Sequence, residues 1–276
     1  MINGEQEDEN IQVTVNQKQN HNIVQSDIPK CVLLAAGAST RLRPLTDAMP
    51  KCLLNIGGKT IIERIIENIL AAGIREIAIV VGYRSEMIRE FVKQHFPKQR
   101  MRFIFNPDYA STNNAYSLSL ARRFLEGRNG EIGQRLLLLD SDILFSNKLL
   151  PQFLRVEAQN KIAVRISGEH NVEEIQVEIN SYGNIDFIGK KPVLRSAPAE
   201  SIGIELFSAE AAATLFAVLE RRVREGMGIS EFYEATFQEM INEGVILKAV
   251  DVSAFPAMEI DTPEDIERAG RLKVDE

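Results

Sequence analysis

The chain has 276 residues, 45% of them hydrophobic, which is enough to bury a proper core in one large domain or two smaller ones. Its formal net charge of -7 excludes an extended nucleic-acid-binding surface, because affinity for a phosphate backbone depends on clustered Lys and Arg. No apolar run reaches the roughly 18 residues of a membrane span, and the acidic start lacks the basic region and apolar stretch of a signal peptide. We therefore expect a cytoplasmic protein with no nucleic-acid partner and no membrane span.

Residues 1–28 are rich in Asn, Gln and Glu, and they include few aliphatic and no aromatic side chains. A segment of this composition cannot bury enough apolar surface to offset the entropy lost on ordering it. We therefore expect a polar, disordered tail over 1–28 and a folded domain over 29–276.

From Lys30 onward, short runs rich in Leu or β-branched residues alternate with amphipathic helical patterns. This alternation is typical of βαβ units around a mainly parallel sheet. Strands are predicted at 31–35, 77–81, 102–105, 135–140, 162–166, 176–179, 202–206 and 246–250. Between the first two, Ile61, Ile65 and Ile69 recur at helical spacing and Gly73 ends the helix.

The regularity of the pattern falls after Pro151. A hairpin is predicted around a turn at 181–184, and two helices are predicted at 209–225 and 230–243. These elements indicate a smaller α+β portion over roughly 160–250, which covers one end of the sheet.

The first strand runs into a loop with almost no side chains. The small residues are Ala35, Ala36, Gly37, Ala38 and Ser39, and Leu34 at the end of the strand is grouped with them as a candidate nucleotide contact. Backbone N–H groups of such a loop can surround a phosphate, although close packing of a strand on a helix also favours Gly and Ala. Beyond the loop, Arg41 offers a planar fork of donors that suits phosphate oxygens, and Lys51 offers a compact charge on a long stem. The loop and the two cations together predict a local phosphate-binding site.

A helix is predicted within NPDYASTNNAYSLSLARRFL, residues 106–125, and its start is rich in amide and hydroxyl side chains. These side chains are typical helix caps. The same groups beside a strand end can also read the edge of a nucleobase. Both interpretations stay open for Asn113 and its neighbours.

The stretch RLLLLDSDILF places two carboxylates at the end of a strand that is buried on both faces. Asp140 and Asp142 are two residues apart, so in extended geometry both point to the same side. Ligands bind at the carboxyl ends of strands in open α/β sheets, and hard oxygen ligands beside a phosphate site indicate Mg²⁺. Helix capping by Asp142 or Ser146 is the structural alternative.

A helix is predicted to begin in the stretch AMEIDTPEDIERAGRL, where Pro263 stands in the first turn and acidic residues stand near the positive end of the helix dipole. Capping alone explains most of this stretch, including Asp261. On the acceptor side of the predicted fold, Glu200 precedes a strand, and Phe232 or Tyr233 is placed to line a pocket. Lys190 suits a phosphate-bearing ligand, although solvated surface lysines are the commoner case.

Two of these stretches resemble a known family. LLAAGASTRLRPLTDAMPKCLL resembles the signature L-x-A-A-G-x-G-T/S-R-L-x-P-L-T-x-x-x-P-K of the nucleotidyltransferases that activate phosphorylated sugars and alcohols, with Ser39 where Gly is common. The segment at 106–125 resembles the Y-x-x-x-N-N-x-Y/F-S segment of cytidylyltransferases that act on phosphocholine, phosphonates and related phospho-alcohols. Asn113, Asn114, Tyr116 and Ser117 match that second pattern.

The resemblance implies a Rossmann-like, three-layer α/β fold of the nucleotide-diphospho-sugar transferase type, with the acceptor bound in the smaller portion. It implies catalytic roles for Arg41 and Lys51 and a Mg²⁺ ion held by Asp142 and Asp261. The nucleotide is expected to contact the small-residue loop, Gly82, Asn113, Ser117 and Asp140. The acceptor is expected to contact Asn114, Lys190, Glu200 and Tyr233.

The activity implied is condensation of CTP with a small phosphate monoester or phosphonate, of the phosphocholine, 2-aminoethylphosphonate or polyol phosphate type, with release of pyrophosphate. The chain has no Trp, which weakens the case for phosphocholine because Trp holds a quaternary ammonium best. Two alternatives stay open. One is a sugar-1-phosphate nucleotidyltransferase that uses another base, and the other is a catalytically silent nucleotide-sensing domain of the same fold.

Overall fold

A computed structural model describes residues 28–166, 175–190 and 199–274 of the chain. Apart from Ile28, the tail expected over 1–28 lies outside these residues. In the described ranges, no helix is both long enough and apolar enough to cross a membrane.

The strands of the described residues, in chain order, are β1 (Lys30–Ala35), β2 (Asn55–Ile56), β3 (Lys59–Thr60), β4 (Ile77–Val81), β5 (Arg102–Phe105), β6 (Leu136–Asp140), β7 (Ile143–Phe145), β8 (Lys161–Ile166), β9 (Gln176–Ile179), β10 (Ile185–Gly189), β11 (Ala199–Phe207), β12 (Lys248–Asp251) and β13 (Ala257–Glu259). The α-helices of the same residues are α1 (Ile61–Ala71), α2 (Ser85–His95), α3 (Asn114–Ser119), α4 (Arg122–Leu125), α5 (Leu149–Arg155), α6 (Ala209–Arg224), α7 (Glu234–Asn242) and α8 (Pro263–Ala269). Each of the eight predicted strands overlaps one of these strands.

The central sheet has a parallel half and an antiparallel half. Strands β6, β1, β4 and β5 lie side by side in that order, and all three pairs are parallel. On the other side of β6 the sheet continues with β11, which runs antiparallel to β6 and pairs in turn with β8 and β9. The α/β fold predicted from the sequence is confirmed.

Side chains alternate between the two faces of each strand, and in the central strands both sets are apolar. Both faces of the sheet are therefore covered by helices. In β1, Cys31 and Leu33 belong to the core layer that includes α1, whereas Val32 and Leu34 belong to the opposite layer with α3, α6 and α7. Helix α1 begins with a capping box, in which the Thr60 hydroxyl accepts a hydrogen bond from the Glu63 backbone N–H at 3.2 Å. The result is a three-layer arrangement with the polar strand ends left accessible.

Several elements differ from the sequence predictions. The second helix of the acceptor side begins at Glu234 and not at residue 230, because residues 225–233 form a connection that bonds to the start of α3. Strands β7 and β13 were not predicted and form a short antiparallel ribbon. Since β7 follows Asp142 directly, Asp142 does not cap a helix, and α5 begins only at Leu149.

Candidate active site

The carboxyl ends of β1 and β6 meet at one edge of the parallel half. Leu34 and Asp140 are paired in register, and the Ser141 backbone N–H donates to the Leu34 carbonyl at 3.2 Å. A cavity of about 320 Å³ opens at this point. It is bounded by the small-residue loop on one side and by residues of the antiparallel half on the other.

The small-residue loop exposes its backbone to the cavity. A side chain added at Gly37 would meet no atom within 4 Å, so tight packing against the protein does not account for glycine there. Ser39 has a left-handed backbone with φ of 47°, and its carbonyl accepts a hydrogen bond from the Thr46 hydroxyl at 2.9 Å. Of the predicted loop residues, all but Ala38 line the cavity.

Gly82 supports the loop from behind and does not line the cavity. A side chain at this position would lie 2.7 Å from the Ala36 carbonyl and 2.6 Å from Cβ of Tyr109. The next residue, Tyr83, donates its backbone N–H to the same Ala36 carbonyl at 3.0 Å. Glycine is therefore required here for a close approach of two backbones.

Lys51 is the centre of a charged cluster at the base of the cavity. Its side chain is 7% exposed, and its Nζ donates to Asp142 Oδ2 at 2.9 Å and to Asp261 Oδ1 at 2.6 Å. Arg41 Nη2 donates to the other oxygen of Asp261 at 2.8 Å. Four residues predicted from three separate stretches of sequence thus lie together.

The charges in this cluster stabilise one another. Burial alone would lower the pKa of Lys51, but the charges of Asp142 and Asp261, together with their hydrogen bonds, raise it above the usual value. Burial likewise opposes ionisation of Asp261, yet Lys51, Arg41 and Lys190 together lower its pKa. Lys51 is therefore a cation and Asp261 an anion at neutral pH.

The β7–β13 ribbon positions the two aspartates. The Ile260 backbone N–H donates to the Asp142 carbonyl at 3.0 Å, which continues the ribbon to the residues just outside it. Helix α8 is capped by Thr262, whose hydroxyl accepts from the Asp265 backbone N–H at 3.2 Å. Because Thr262 caps the helix, the Asp261 carboxylate is not needed as a cap. It faces the cavity and pairs with Lys51 and Arg41.

The donor set fits a hard divalent cation. Asp142 and Asp261 each place one oxygen within 2.9 Å of a single point, the Lys51 ammonium nitrogen. No group of three or more His, Cys, Asp or Glu is arranged around a metal position within the described residues. Mg²⁺ commonly binds one or two carboxylates and fills its other positions with water and substrate phosphate, so the two aspartates suffice.

Asn113, Asn114 and Ser117 line the cavity, but their side chains also bond to the protein. Asn113 caps α3, with its Oδ1 accepting from the Asn114 backbone N–H at 2.8 Å. Asn114 Oδ1 accepts from the Tyr233 backbone N–H at 2.9 Å, and Ser117 Oγ accepts from Asn106 at 3.0 Å. The capping interpretation of Asn113 therefore matches the geometry.

The expected acceptor residues lie in different places. Lys190 lines the cavity, and its ammonium lies 4.3 Å from the centre of the Phe232 ring. Of the two aromatic residues expected to line a pocket, Phe232 lines the cavity and Tyr233 does not. Tyr233 is fully buried behind the cavity wall, and its hydroxyl donates to Asp140 Oδ2 at 2.8 Å. Glu200 lies in a neighbouring cleft of about 370 Å³, where it is paired with Arg165.

Several cavity residues were not predicted from the sequence, and three of them have distinctive surroundings. Glu234 is 5% exposed, and burial raises its pKa to about 8. Burial and the charge of Asp142 also raise the pKa of Glu259, again to about 8. Gly203 has φ of 70° at an irregularity of β11, and a side chain there would lie 2.9 Å from Asp140 Oδ2. A glycine inside a strand pattern is the one sequence signal that indicates such a close approach.

Comparison with known proteins identifies the family. A model of the nucleotidyl transferase family matches residues 30–252. Choline-phosphate cytidylyltransferase of Streptococcus pneumoniae is 43% identical over 96 residues, which cover 35% of this chain and 40% of that protein. CTP:phosphoglutamine cytidylyltransferase of Campylobacter jejuni is 27% identical over 254 residues, which cover 86% of this chain and 97% of that protein.

The chain spans about half, or less, of the length of other curated relatives that it matches. Among solved structures, the inositol-1-phosphate CTP transferase of T. maritima is similar with a TM-score of 0.72 and 20% identity. The similarity covers 88% of this chain and 95% of that one, which confirms the fold. Because the family match extends over most of the sequence, the chain belongs to the nucleotidyl transferase family.

Proposed function

We propose that this protein is a Mg²⁺-dependent cytidylyltransferase that condenses CTP with a small phosphate monoester or phosphonate and releases pyrophosphate. The observation that carries the proposal is the Lys51 cluster. One buried ammonium lies between two aspartates, beside Arg41 and an open loop of backbone donors. A triphosphate, a divalent cation and an attacking phosphate need such an arrangement of opposite charges.

The choice of CTP rests on the relatives. Both curated relatives described above are named as cytidylyltransferases, and the structural neighbour is named as a CTP transferase. Within the cavity, Asn113 and Ser117 are the polar residues that we assign to the nucleotide side. We infer a small acceptor because the whole cavity measures about 320 Å³ and the nucleotide occupies part of it.

The acceptor side of the cavity favours an acceptor that also carries an amine. Glu234 and Glu259 line it together with Lys190. Glu234 Oε2 is buried, with no hydrogen-bond partner among the described residues. The exposed ring of Phe232 already holds one ammonium, that of Lys190, over its face. A ligand ammonium that takes the place of Lys190 over this ring gains a cation–π contact, and its charge favours the ionised form of Glu234, which then becomes its carboxylate partner.

The reaction is an in-line displacement at phosphorus. An oxygen of the acceptor phosphate forms a bond to the α-phosphorus, and the bond from the α-phosphorus to the bridging oxygen of pyrophosphate breaks. The leaving pyrophosphate keeps the electron pair of that bond. The acceptor phosphate is already ionised near pH 7, so the reaction requires no general base.

The chain contributes position and charge to this displacement. We assign Arg41 to the leaving β- and γ-phosphates and Lys51 to the oxygens at the reacting phosphorus. Backbone donors of residues 36–39 hold the triphosphate, and Asp140 supports the nucleotide side. Bound Mg²⁺, held by Asp142 and Asp261, supplies Lewis-acid polarisation of the phosphate oxygens.

The test is pyrophosphate release from the purified protein with each of four nucleoside triphosphates and a panel of acceptors. The panel contains phosphocholine, 2-aminoethylphosphonate, polyol phosphates and sugar 1-phosphates. We expect release with CTP and an amine-bearing phosphate or phosphonate. Release with another triphosphate and a sugar 1-phosphate would establish the sugar-activating alternative, and no release with any pair would favour the nucleotide-sensing one.

A further inference from the structure

The paired asparagines at the start of α3 contact the acceptor side of the protein. The Asn113 backbone N–H donates to the Ile229 carbonyl at 2.8 Å, and its Nδ2 donates to the Ser230 carbonyl at 3.3 Å. Asn114 Oδ1 accepts from the Tyr233 backbone N–H at 2.9 Å. Three hydrogen bonds therefore join the helix beside the nucleotide loop to the connection that leads into α7.

Tyr233 also joins this connection to β6 and to α7. Its side chain is fully buried, and its hydroxyl donates to Asp140 at the carboxyl end of β6. Its ring also packs against Phe237 of α7, with ring centres 5.0 Å apart. The residue is thus fixed to α3 through its backbone, to β6 through its hydroxyl and to α7 through its ring.

The residues on either side of Tyr233 face the cavity. Phe232 is 40% exposed and lies under the Lys190 ammonium, whereas Glu234 is buried with one oxygen that has no partner among the described residues. A buried carboxyl oxygen without a hydrogen-bond partner costs free energy, so it does not stabilise the position of Glu234. Contacts of its neighbours must therefore hold Glu234 in the cavity wall.

We propose that Asn114 and Tyr233 are positioning residues. They hold Phe232 and Glu234 close to the nucleotide side of the cavity, so that the acceptor phosphate is bound next to the triphosphate. The kinetic part of this proposal rests on the proposed function. The structural part is independent of it, because the hydrogen bonds exist whatever the ligand is. In this arrangement the Asn114 side chain acts through its hydrogen bond to the Tyr233 backbone N–H.

Two measurements test the proposal on the full chain. Hydrogen–deuterium exchange of the amides at 229–236 reports on the link itself. Steady-state pyrophosphate release, with CTP and the best acceptor of the panel each varied in turn, separates the KM for the acceptor from the KM for CTP. The variants are Asn114→Ala, which removes the accepting oxygen, and Tyr233→Phe, which removes only the hydroxyl.

We expect exchange at 229–236 to become about fivefold to tenfold faster in Asn114→Ala, since one hydrogen bond contributes about 1 kcal/mol. The KM for the acceptor should rise about tenfold in Asn114→Ala and Tyr233→Phe. The KM for CTP should change less than about twofold in Asn114→Ala, which leaves the hydrogen bond between Tyr233 and Asp140 in place. Asn114→Asp keeps an oxygen that accepts from the Tyr233 N–H, so it should retain the slow exchange of the wild type.

Gln238→Leu is the matched control, because it removes a hydrogen bond between α7 and the Ile188 backbone N–H of β10 and leaves the contacts of Asn114 and Tyr233 in place. Loosening of α7 in general would raise the KM for the acceptor equally in this control, and that result would overturn the proposal. Unchanged exchange in Asn114→Ala, equally fast exchange in Asn114→Asp, or a parallel rise in the KM for CTP in Asn114→Ala would also overturn it. If the wild type releases no pyrophosphate with any pair, the proposed function fails and the exchange measurements alone decide.

Discussion

Replacing Lys51 by Met is the sharpest test of the charged cluster. Methionine matches the length of most of the lysine stem, so the change removes a buried cation and leaves little empty space. Asp142 and Asp261 then face each other with Arg41 as the cation still bonded to Asp261. Breaking a buried ion pair typically costs about 3–5 kcal/mol. Because the two aspartate side chains are 33% and 26% exposed, water reaches them and we expect a loss of about 2 kcal/mol.

A loss of this size lowers the melting temperature by about 4–8 °C in a protein near this length. The two aspartates of the variant no longer have their ammonium partner, so they should bind Mg²⁺ more tightly than in the wild type. Mg²⁺ at about ten times its dissociation constant would restore about 1.4 kcal/mol. Pyrophosphate release should fall by at least about 100-fold, because neutralisation of charge at the reacting phosphorus is lost.

The assay is thermal unfolding of both proteins with and without Mg²⁺, alongside pyrophosphate release. Lys59→Met is the control, since Lys59 pairs with Glu67 at 2.7 Å but both side chains are more than 40% exposed. A pair of this kind contributes at most about 1 kcal/mol. A Lys51→Met variant with an unchanged melting temperature, or with the same loss at every Mg²⁺ concentration, would refute the reasoning.

Three further predictions follow from the cavity. Gly203→Ala should lower the free energy of unfolding, measured in denaturant, by about 2 kcal/mol, because the left-handed backbone and the nearby Asp140 both oppose a side chain. Gly244 is also left-handed but has open space around it, so Gly244→Ala measures the cost of the backbone conformation alone. Glu234 binds its proton more tightly in the folded state than in the unfolded state, so wild-type stability should fall as pH rises from about 4.5 to about 8. Glu234→Gln should remove the part of that slope that Glu234 contributes, while the part from Glu259 remains, and it should be more stable than the wild type by about 1–3 kcal/mol at pH 8. An equal slope in both proteins would contradict the assignment. Asp142→Ala should abolish pyrophosphate release and the stabilisation of CTP complexes by Mg²⁺ while far-UV circular dichroism stays unchanged; wild-type turnover would remove Asp142 from the mechanism.

The parallel half of the sheet could be predicted from the sequence because its information is local. A run such as LLLLD predicts both a buried strand and the polar residue at its end. The carboxyl ends of parallel strands meet at one edge of the sheet, so such polar residues lie close together there. The sequence pattern therefore predicts that Lys51 and Asp142 lie near one another, and the family resemblance adds Asp261 to them.

The remaining features depend on partners that are distant in sequence. Strands β7 and β13 have three residues each and lie more than 100 residues apart, so neither has a local pattern that predicts it. Tyr233 carries an amphipathic side chain in a helical pattern, and only its bonds to Asn114 and Asp140 show that it lies behind the cavity wall. Glu234 could not be predicted as a cavity residue, because burial of a lone carboxyl group is rare and no local pattern indicates it.

Strand β6 lies at the boundary between the two halves of the sheet, with β1 on one side and β11 on the other. Its pairing with β11 covers Ile204 to Phe207 opposite Leu139 to Leu136, a seam of four residue pairs. A chimera that exchanges the proposed acceptor portion with that of a relative must therefore preserve a short backbone seam and the asparagine contacts at 113–114. Under the proposed function, a relative could therefore acquire a new acceptor by substitutions on the β11 side of β6, while the residues proposed to hold the triphosphate stay unchanged on the β1 side.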